Sequence, residues 1–156
     1  MAHFAKLDDN NVVIDIVSMD DEDTCTKPGW FEREEIGIGK LIQETEHNNW
    51  RRFSKSMTQG VHRRGRPVFR ANAAQIGWVY DPGNDIFHPP LPIDDDGDAC
   101  NSYTLNTTTG MWEPPVTRPT ETQAEHDADK RYRWDESAYQ ADNTSGWVLK
   151  HQSEFN

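Results

Sequence analysis

The sequence predicts a mostly β fold made of short antiparallel hairpins in tandem. The main observation is that residues 80–90 and residues 105–115 align without a gap at a spacing of 25 residues. Each stretch has an apolar residue followed by Asp or Asn, then a turn-forming run, an aromatic residue and Pro-Pro. Because Asp, Asn and Gly adopt the conformations that reverse a chain, each stretch indicates a hairpin.

Two looser copies extend this pattern. Residues 132–149 form a third unit with a long polar insertion, and residues 4–13 resemble the same unit at the start of the chain. The β-branched run at residues 12–17 is the strongest strand signal. Pro-Pro ends strand pairing and favours an extended linker, so a small sandwich is one way to pack the hairpins. Strands are predicted at residues 3–7, 12–18, 41–43, 76–80, 85–88, 102–105, 110–113, 131–134 and 146–150.

The remaining segments are predicted as long loops. Residues 19–26 suggest a loop or a single helical turn, and residues 50–69 suggest an extended loop without a clear period. Residues 32–41 are ambiguous because Gly37 and Gly39 disfavour a helix. Residues 117–129 are polar and predicted to be flexible. Two regions follow: residues 1–75, an N-terminal β region with a basic loop, and residues 76–156, a tandem region of aromatic and Pro-Pro hairpins.

The composition predicts a chain that is stabilised by binding to partner proteins or to copies of itself. Only 34% of the residues are hydrophobic against 28% charged, and the mean hydropathy is −0.93. A chain of this size must bury most of its apolar surface to offset conformational entropy. We therefore expect a homo-oligomer or a multi-copy assembly. No apolar segment approaches a membrane span, so no membrane association is expected.

The net charge of −11 is unevenly distributed. Residues 50–70 carry seven cations and no acid, whereas the other 135 residues carry 9 cations and 27 acids. Nucleic-acid binders are more usually basic overall, so no nucleic acid is expected. The basic segment at residues 50–70 has two interpretations. It is either a loop that lies on the protein's own acidic surface or a docking element for an acidic partner or a neighbouring subunit. The seven cations are Arg51, Arg52, Lys55, Arg63, Arg64, Arg66 and Arg70.

Chemical motifs are sparse. The run Asp94 to Asp98 resembles a calcium loop, but it departs from the EF-hand pattern, which favours a solvated acidic linker and leaves cation binding open. Cys25 and Cys100 lack metal or redox spacing; two reduced thiols are the default, and a single disulfide stays open. The histidines are scattered and no catalytic motif occurs. We therefore predict no catalytic residue, no cofactor, no metal and no enzymatic activity.

Six aromatic residues of the hairpins have two interpretations. The favoured one is that their rings pack across the strands of their own hairpins. The alternative is a face that stacks on sugar rings. The six residues are Trp78, Tyr80, Phe87, Trp112, Trp134 and Trp147.

Several motifs resemble a known family. Family members carry Arg-Lys-Asn-Tyr-Ala-Gly-Ile-Gly-Tyr-Thr-Tyr-Asp where this chain has residues 70–81. Other matching stretches are residues 1–13, 60–62, 85–90, 112–116, 132–136 and 147–148. Together they cover roughly half of the chain and resemble a family of small virion structural proteins from tailed phages that infect marine cyanobacteria and related marine bacteria. Residues 19–59, 93–101 and the enlarged third hairpin depart from the family pattern.

The resemblance implies a non-catalytic protein of the virion, assembled in the host cytoplasm. Its partners would be other virion proteins, either the major capsid protein or tail proteins. We expect an accessory protein that docks on the capsid exterior as a decoration or cement protein. The alternative is a structural or host-recognition protein associated with the tail, baseplate or fibre, which would also contact surface polysaccharide. The two differ in their copy number per particle.

Overall fold

A computed structural model describes residues 1–25 and 33–155 of the chain. Strands account for 31% of the chain and helices for 20%, and the strands form several short antiparallel sheets. The prediction of a mostly β fold built from short hairpins is therefore confirmed.

The largest sheet is three-stranded and has the order β2-β1-β3. It contains β1 (Ala2–Leu7), β2 (Val13–Met19) and β3 (Trp50–Phe53), with β1 antiparallel to both neighbours. The β1–β2 turn is fixed by Asp8, whose Oδ1 accepts hydrogen bonds from the N–H groups of Asn10 and Val12, both at 2.9 Å. Asn11 supplies the positive φ of 62° that the turn requires. The first predicted hairpin is confirmed.

Helix α1 (Glu34–Thr45) packs beside this sheet. The sequence was ambiguous at residues 32–41, and the structure shows a helix there from residue 34 onwards; residue 32 lies outside the described part. The strand predicted at residues 41–43 is wrong, because these residues belong to the helix. Gly37 is buried against the ring of Phe4, where an added Cβ would lie 2.4 Å from a ring carbon. The glycine that disfavours a helix locally is thus required for the helix to approach the sheet, since close packing needs a residue without a Cβ there.

The segment predicted as one long loop is more ordered than expected. Its first residues form β3, and a two-stranded hairpin follows, with β4 (Met57–Thr58) and β5 (Val61–His62). The residues between these strands, Gln59 and Gly60, have φ values of 48° and 77°. Positive φ at both central positions is typical of the tight turns that match strand twist. The extended-loop prediction holds only for the stretch after β5.

The two aligned stretches fold alike. The first forms β6 (Val79–Asp81) and β7 (Ile86–His88), and the second forms β8 (Thr104–Asn106) and β9 (Met111–Glu113). Asp81 and Asn106 each accept from the N–H groups two and three positions further on, at 2.9 and 3.2 Å and at 2.9 and 3.1 Å. The aligned Asp85 and Gly110 both have positive φ, 53° and 65°. The sequence repeat is therefore a repeat of turn geometry.

The C-terminal part contains a hairpin and two short helices. The hairpin pairs β10 (Lys130–Trp134) with β11 (Trp147–His151), as predicted. Helix α2 (Gln123–Asp127) lies within the segment predicted to be flexible, and helix α3 (Glu136–Ala141) lies within the polar insertion of the third unit. Single helical turns occur at Asp21–Thr24, as the sequence suggested, and at Gln152–Glu154.

The chain divides into two compact units. The first comprises Met1–Pro90 and Asn106–Met111, and the second comprises Leu91–Leu105 and Trp112–Asn156. Residues 76–90 join the first unit because their backbone bonds to the first sheet: Val13 N–H donates to Trp78 O and Gly77 N–H donates to Val13 O, both at 2.8 Å. The sequence suggested a boundary at residues 75 and 76, whereas the hairpin of β6 and β7 belongs to the first unit.

Each unit has its own buried side chains. In the first unit, Phe4, Leu7 and Phe87 are fully buried. In the second unit, Trp134 is 6% exposed and contacts the rings of Tyr103 and Trp147, both at centroid distances of 5.2 Å. Large aromatic rings thus supply much of the buried area that the few aliphatic residues cannot. Among the described helices, none has both the length and the apolar character needed to cross a bilayer.

Candidate docking surface

The seven cations of residues 50–70 do not form one exposed cluster. Arg70 has a side chain only 9% exposed, and its guanidinium donates to Glu34 Oε1 at 2.6 Å and to Asp85 Oδ1 at 2.7 Å. Burial alone would lower the pKa of Arg70, but the bonds to Glu34 and Asp85 outweigh burial and raise it. Arg70 is therefore a charged element of the fold, not an exposed docking residue.

Arg51 and Arg52 are half-buried and lie over aromatic rings. The guanidinium carbon of Arg51 is 5.2 Å from the ring centroid of Tyr80, and that of Arg52 is 4.6 Å from the centroid of Phe69. Such contacts stabilise the cation and the ring together. These two residues thus contribute to packing at the edge of β3 as well as to charge.

A groove of about 1090 Å³ on the first unit collects most of the other cations. We call it the basic groove. Its cationic side chains are Arg52, Lys55, Arg64 and Arg66, its imidazoles are His3 and His62, and its apolar side chains include Phe53, Pro67, Val68 and Phe69. The lining also includes Ser54, Ser56, Met1, Asp21, Glu22 and Cys25. Four cations therefore line one concave surface.

A tight turn after β5 presents Arg64 and Arg66 to the groove. The Gly65 N–H donates to His62 O at 2.9 Å, and the Arg64 N–H donates to His62 Nδ1 at 3.1 Å. Gly65 has a φ of 65°, which glycine adopts without strain. Sequence reasoning found the cations but not this turn, although the Arg-Arg-Gly-Arg run was a signal for it.

Arg63 lies in the same turn but does not line the groove. Its Nη2 donates to Thr58 Oγ1 at 3.3 Å, and its N–H donates to Ser56 O at 2.8 Å. Arg63 is exposed like Arg64 and Arg66. Arg63 can therefore serve as a control in mutagenesis, since it is an exposed cation in the same turn as Arg64 and Arg66 but outside the groove.

Apolar surface lies beside these cations. Val68 is 61% exposed and lines the groove. The ring centroid of Phe69 is 4.6 Å from the guanidinium carbon of Arg52 and 4.8 Å from that of Arg70. An exposed apolar residue within a rim of charge is a common arrangement at protein interfaces.

Within the described part of the chain, fewer acids than cations line the groove. Asp21 forms an ion pair with the N-terminal ammonium, and Glu22 is exposed. Nearby, Asp23 pairs with Lys40 on α1. Among the described residues, four cationic side chains and the N-terminal ammonium thus line the groove with two carboxylates, in a chain whose net charge is −11.

The hairpin aromatics are largely used for packing. Tyr80 and Phe87 are 5% and 0% exposed, with ring centroids 5.2 Å apart, and Trp78 packs against the same core. In the second unit, Trp134 is buried, while Trp112 and Trp147 are half-buried. Tyr80 and Phe87 are consequently inaccessible to a sugar, which favours the packing interpretation for this hairpin.

The acidic run at residues 94–98 is a turn and not a solvated linker. Asp94 and Asp95 are 9% and 8% exposed, which corrects the expectation from sequence. Asp94 Oδ1 accepts hydrogen bonds from the N–H groups of Asp96 and Asp98, two and four positions further on, which is the pattern that Asp8 forms in the first hairpin. Gly97 has a φ of 90°. Asp94 Oδ2 accepts from Glu136 N–H at 3.0 Å. Donors therefore occupy both oxygens of the Asp94 carboxylate.

The described residues offer little for nucleophilic or metal chemistry. Cys100 is a buried thiol, and burial, with the nearby Glu136 and Asp94, raises its pKa to about 11. A thiol with such a pKa is a poor nucleophile at neutral pH because little thiolate is present. Within residues 1–25 and 33–155, no three His, Cys, Asp or Glu side chains are grouped to hold a metal ion.

Comparisons with protein-family models, curated proteins and solved structures found no match to this chain. Function must therefore be inferred from the residues and their geometry.

Proposed function

We propose that this chain is a non-catalytic structural protein of a phage virion, which docks on the capsid exterior through the basic groove. The observation that carries the proposal is the grouping of Arg52, Lys55, Arg64 and Arg66 on one concave surface beside the exposed Val68. Because binding surfaces are complementary in charge, the partner should be an acidic and partly apolar surface of a neighbouring virion protein.

The sequence resemblance supports this proposal because two of the matching residues form hydrogen bonds that hold the first unit together. Arg70 and Asn72 are shared with the family segment. The side chain of Asn72 donates to Phe87 O at 2.9 Å and to Thr109 O at 3.0 Å, and it accepts from Gln59 N–H at 2.7 Å. Arg70 bonds Glu34 and Asp85. Two of the shared residues thus hold loops of the first unit together.

The groove chemistry suits a lattice partner. Exposed ion pairs contribute only about 0.2–1 kcal/mol each, so a monovalent contact through four cations would be weak and salt-sensitive. A protein that binds a repeated lattice in many copies can rely on such contacts, because steering by charge accelerates association with every site. A groove of this kind is therefore better suited to a repeated surface than to a single tight partner.

Subunit counting on an intact particle tests the proposal. Density for this chain should occur on the outer capsid surface with a copy number set by the capsid lattice, and the groove should face the capsid protein. A small number of copies at the tail, baseplate or fibre would support the alternative. Absence of the chain from purified particles would overturn both.

A further inference from the structure

The second unit contains a cavity of about 340 Å³ that the proposed docking does not use. Its walls include the rings of Tyr103, Trp134, Trp147 and Phe155 and the guanidinium groups of Arg118 and Arg133. Ligand cavities in proteins usually measure about 300–1,000 Å³, so this one has room for a small ligand group.

The aromatic walls offer apolar ring surface to this cavity. Trp134 Nε1 donates to Glu136 Oε2 at 2.8 Å, and Trp147 Nε1 donates to Val116 O at 2.7 Å. Because both indole N–H groups are already satisfied within the protein, the rings offer their C–H edges and π faces. Such faces pack well against the C–H groups of a pyranose ring, which is apolar on its faces and polar at its rim.

The side chains that line the cavity have a net positive charge, unlike the unit as a whole. The second unit has only five cations against thirteen acids, yet three of the five, Arg118, Arg131 and Arg133, line this cavity, together with only two of the acids, Asp94 and Asp95. This concentration favours an anionic group of the ligand. Arginine recognises carboxylates through its planar set of donors.

Arg133 is held in place for such a role. Its Nε and Nη2 donate to Oδ2 and Oδ1 of Asp95, at 3.0 and 2.6 Å, and the Asp95 side chain is 5% exposed. The two bonds fix the guanidinium and use only two of its nitrogens. Two donors on Nη1 and one on Nη2 remain for a ligand. Arg118 is similarly held through Nη1 and Nη2 by Glu121 and lies 5.9 Å from the ring centroid of Trp147.

We propose that this cavity binds one carboxylate-bearing sugar ring of an acidic polysaccharide. The ring would pack against the aromatic wall of Tyr103 and Trp147, and its carboxylate would accept from Arg133 and Arg118. This gives the chain a glycan-binding activity in its second unit that is independent of docking through the basic groove in its first unit.

Titration of the full chain with oligogalacturonate, by calorimetry and by NMR of the indole N–H signals, tests this inference. We expect saturable binding that shifts the Trp134 and Trp147 signals and weakens as salt is raised. Neutral galactose oligomers of the same length should bind at least about tenfold more weakly. Failure of oligogalacturonate to bind, or equal binding of the neutral oligomer, would overturn the proposal.

A pair of variants that each lack one cation separates the cavity from general charge. Arg118→Gln removes a cation that lines the cavity and would contact the ligand carboxylate, and we expect affinity for oligogalacturonate to fall about tenfold or more. Lys130→Gln removes an exposed cation that does not line the cavity, and affinity should change less than about twofold. Thermal unfolding of each variant verifies that it is folded. Equal losses in both variants would contradict a site in the cavity.

Discussion

Arg70 holds Glu34 through two parallel hydrogen bonds, Nη1 to Oε1 at 2.6 Å and Nη2 to Oε2 at 3.1 Å. The same pair closes the outer edge of the first sheet, because Glu34 Oε1 also accepts from Arg52 N–H and Arg70 Nη1 also donates to Arg52 O. An open strand edge is a template for unwanted pairing. Two side chains thus take the place of a fourth strand beside β3.

We expect Arg70→Ala to destabilise the protein by about 3–5 kcal/mol, because it leaves the partly buried Glu34 carboxylate and the β3 edge without their partner. Arg70→Lys should recover only part of the loss, since an ammonium cannot form the two parallel bonds. Urea unfolding measures both. Arg63→Ala, which removes an exposed cation from the neighbouring turn, should change stability by no more than about 0.5 kcal/mol. Similar values for the two alanine variants would show that the Arg70 pair is not structural.

The aligned rings of the sequence repeat should differ in their contribution to stability. Phe87 is fully buried and contacts Phe53 and Tyr80, whereas its counterpart Trp112 is half-buried. Phe87→Ala should therefore cost about 3–5 kcal/mol, and Trp112→Ala should cost less. Chemical denaturation of the two variants measures the difference. Equal losses would indicate that Trp112 is as deeply packed as Phe87.

The hairpins could be predicted from sequence because their turns are determined locally. Asp8, Asp81 and Asn106 each cap their own turn through the side chain, and this chemistry depends on neighbours only a few residues away. The same chemistry at Asp94 does not stand out from the sequence, because three consecutive acids followed by Gly97 and a fourth acid also fit a solvated linker. Asp94 nevertheless resembles Asp8, since both are followed by a residue of positive φ three positions later.

The helices and the two concave sites were harder to predict. Helix α1 was missed because the need for Gly37 arises from the Phe4 ring, which lies 33 positions away in the sequence. Helix α2 had a local signal, the capping box of Thr122 and Glu125. The basic groove and the second-unit cavity depend on which side chains tertiary folding brings together. The separation of buried Arg70 from exposed Arg64 and Arg66 has no counterpart in the charge pattern.

Gly110 should tolerate substitution much less than Gly77. Both have positive φ, 65° and 86°, so alanine is strained at either position. At Gly110 a Cβ would also lie 2.4 Å from Asn72 Nδ2 and 2.8 Å from Phe87 O, whereas at Gly77 it would meet nothing within 4 Å. We expect Gly77→Ala to cost about 1–2 kcal/mol and Gly110→Ala about 2–5 kcal/mol, measured by thermal unfolding. A smaller loss at Gly110 would mean that Asn72 is free to move.

Acid should destabilise the second unit through Glu136. Burial alone would raise the pKa of this 5%-exposed carboxyl, but hydrogen bonds from Trp134, Ser102 and Gln140 outweigh burial and lower it below the ordinary 4.5. A carboxyl whose pKa is lowered by folding stabilises the protein above its unfolded pKa. That stability is lost as the pH falls through the folded pKa. Unfolding free energy should therefore decrease as the pH drops below about 4.5.

Two variants connect this pH dependence with Glu136. Glu136→Gln should lower stability at neutral pH by about 1–3 kcal/mol, because its amide N–H₂ faces groups that are themselves donors, and it should flatten the acid dependence. Gln140→Ala removes one donor, the bond from Nε2 to Oε1 at 3.0 Å, and should move acid unfolding to higher pH. Denaturant unfolding monitored by Trp fluorescence over the acid range measures both. An unchanged slope in Glu136→Gln would assign the acid dependence to other carboxyls.

Docking through the basic groove should depend on Arg64 and Arg66 and not on Arg63. The first two line the groove, while Arg63 bonds Thr58 outside it. Charges near an exposed rim attract a partner over about 10 Å at 0.1 M salt, and this attraction is screened as salt increases. Arg64→Ser combined with Arg66→Ser should therefore reduce incorporation into particles that lack the protein, and the difference from the wild type should become smaller as salt screens the charges.

A control with the same charge change isolates the groove. Arg63→Ser combined with Lys130→Ser removes two exposed cations that lie outside the groove and so alters the net charge equally. Copies per particle, determined by quantitative gel analysis after incubation at low and at high salt, should match the wild type for this control at each salt concentration. Normal incorporation of the Arg64 and Arg66 variant under both conditions would show that the groove is a solvated surface. Equal loss in both double variants would show that net charge, and not the groove, drives the association.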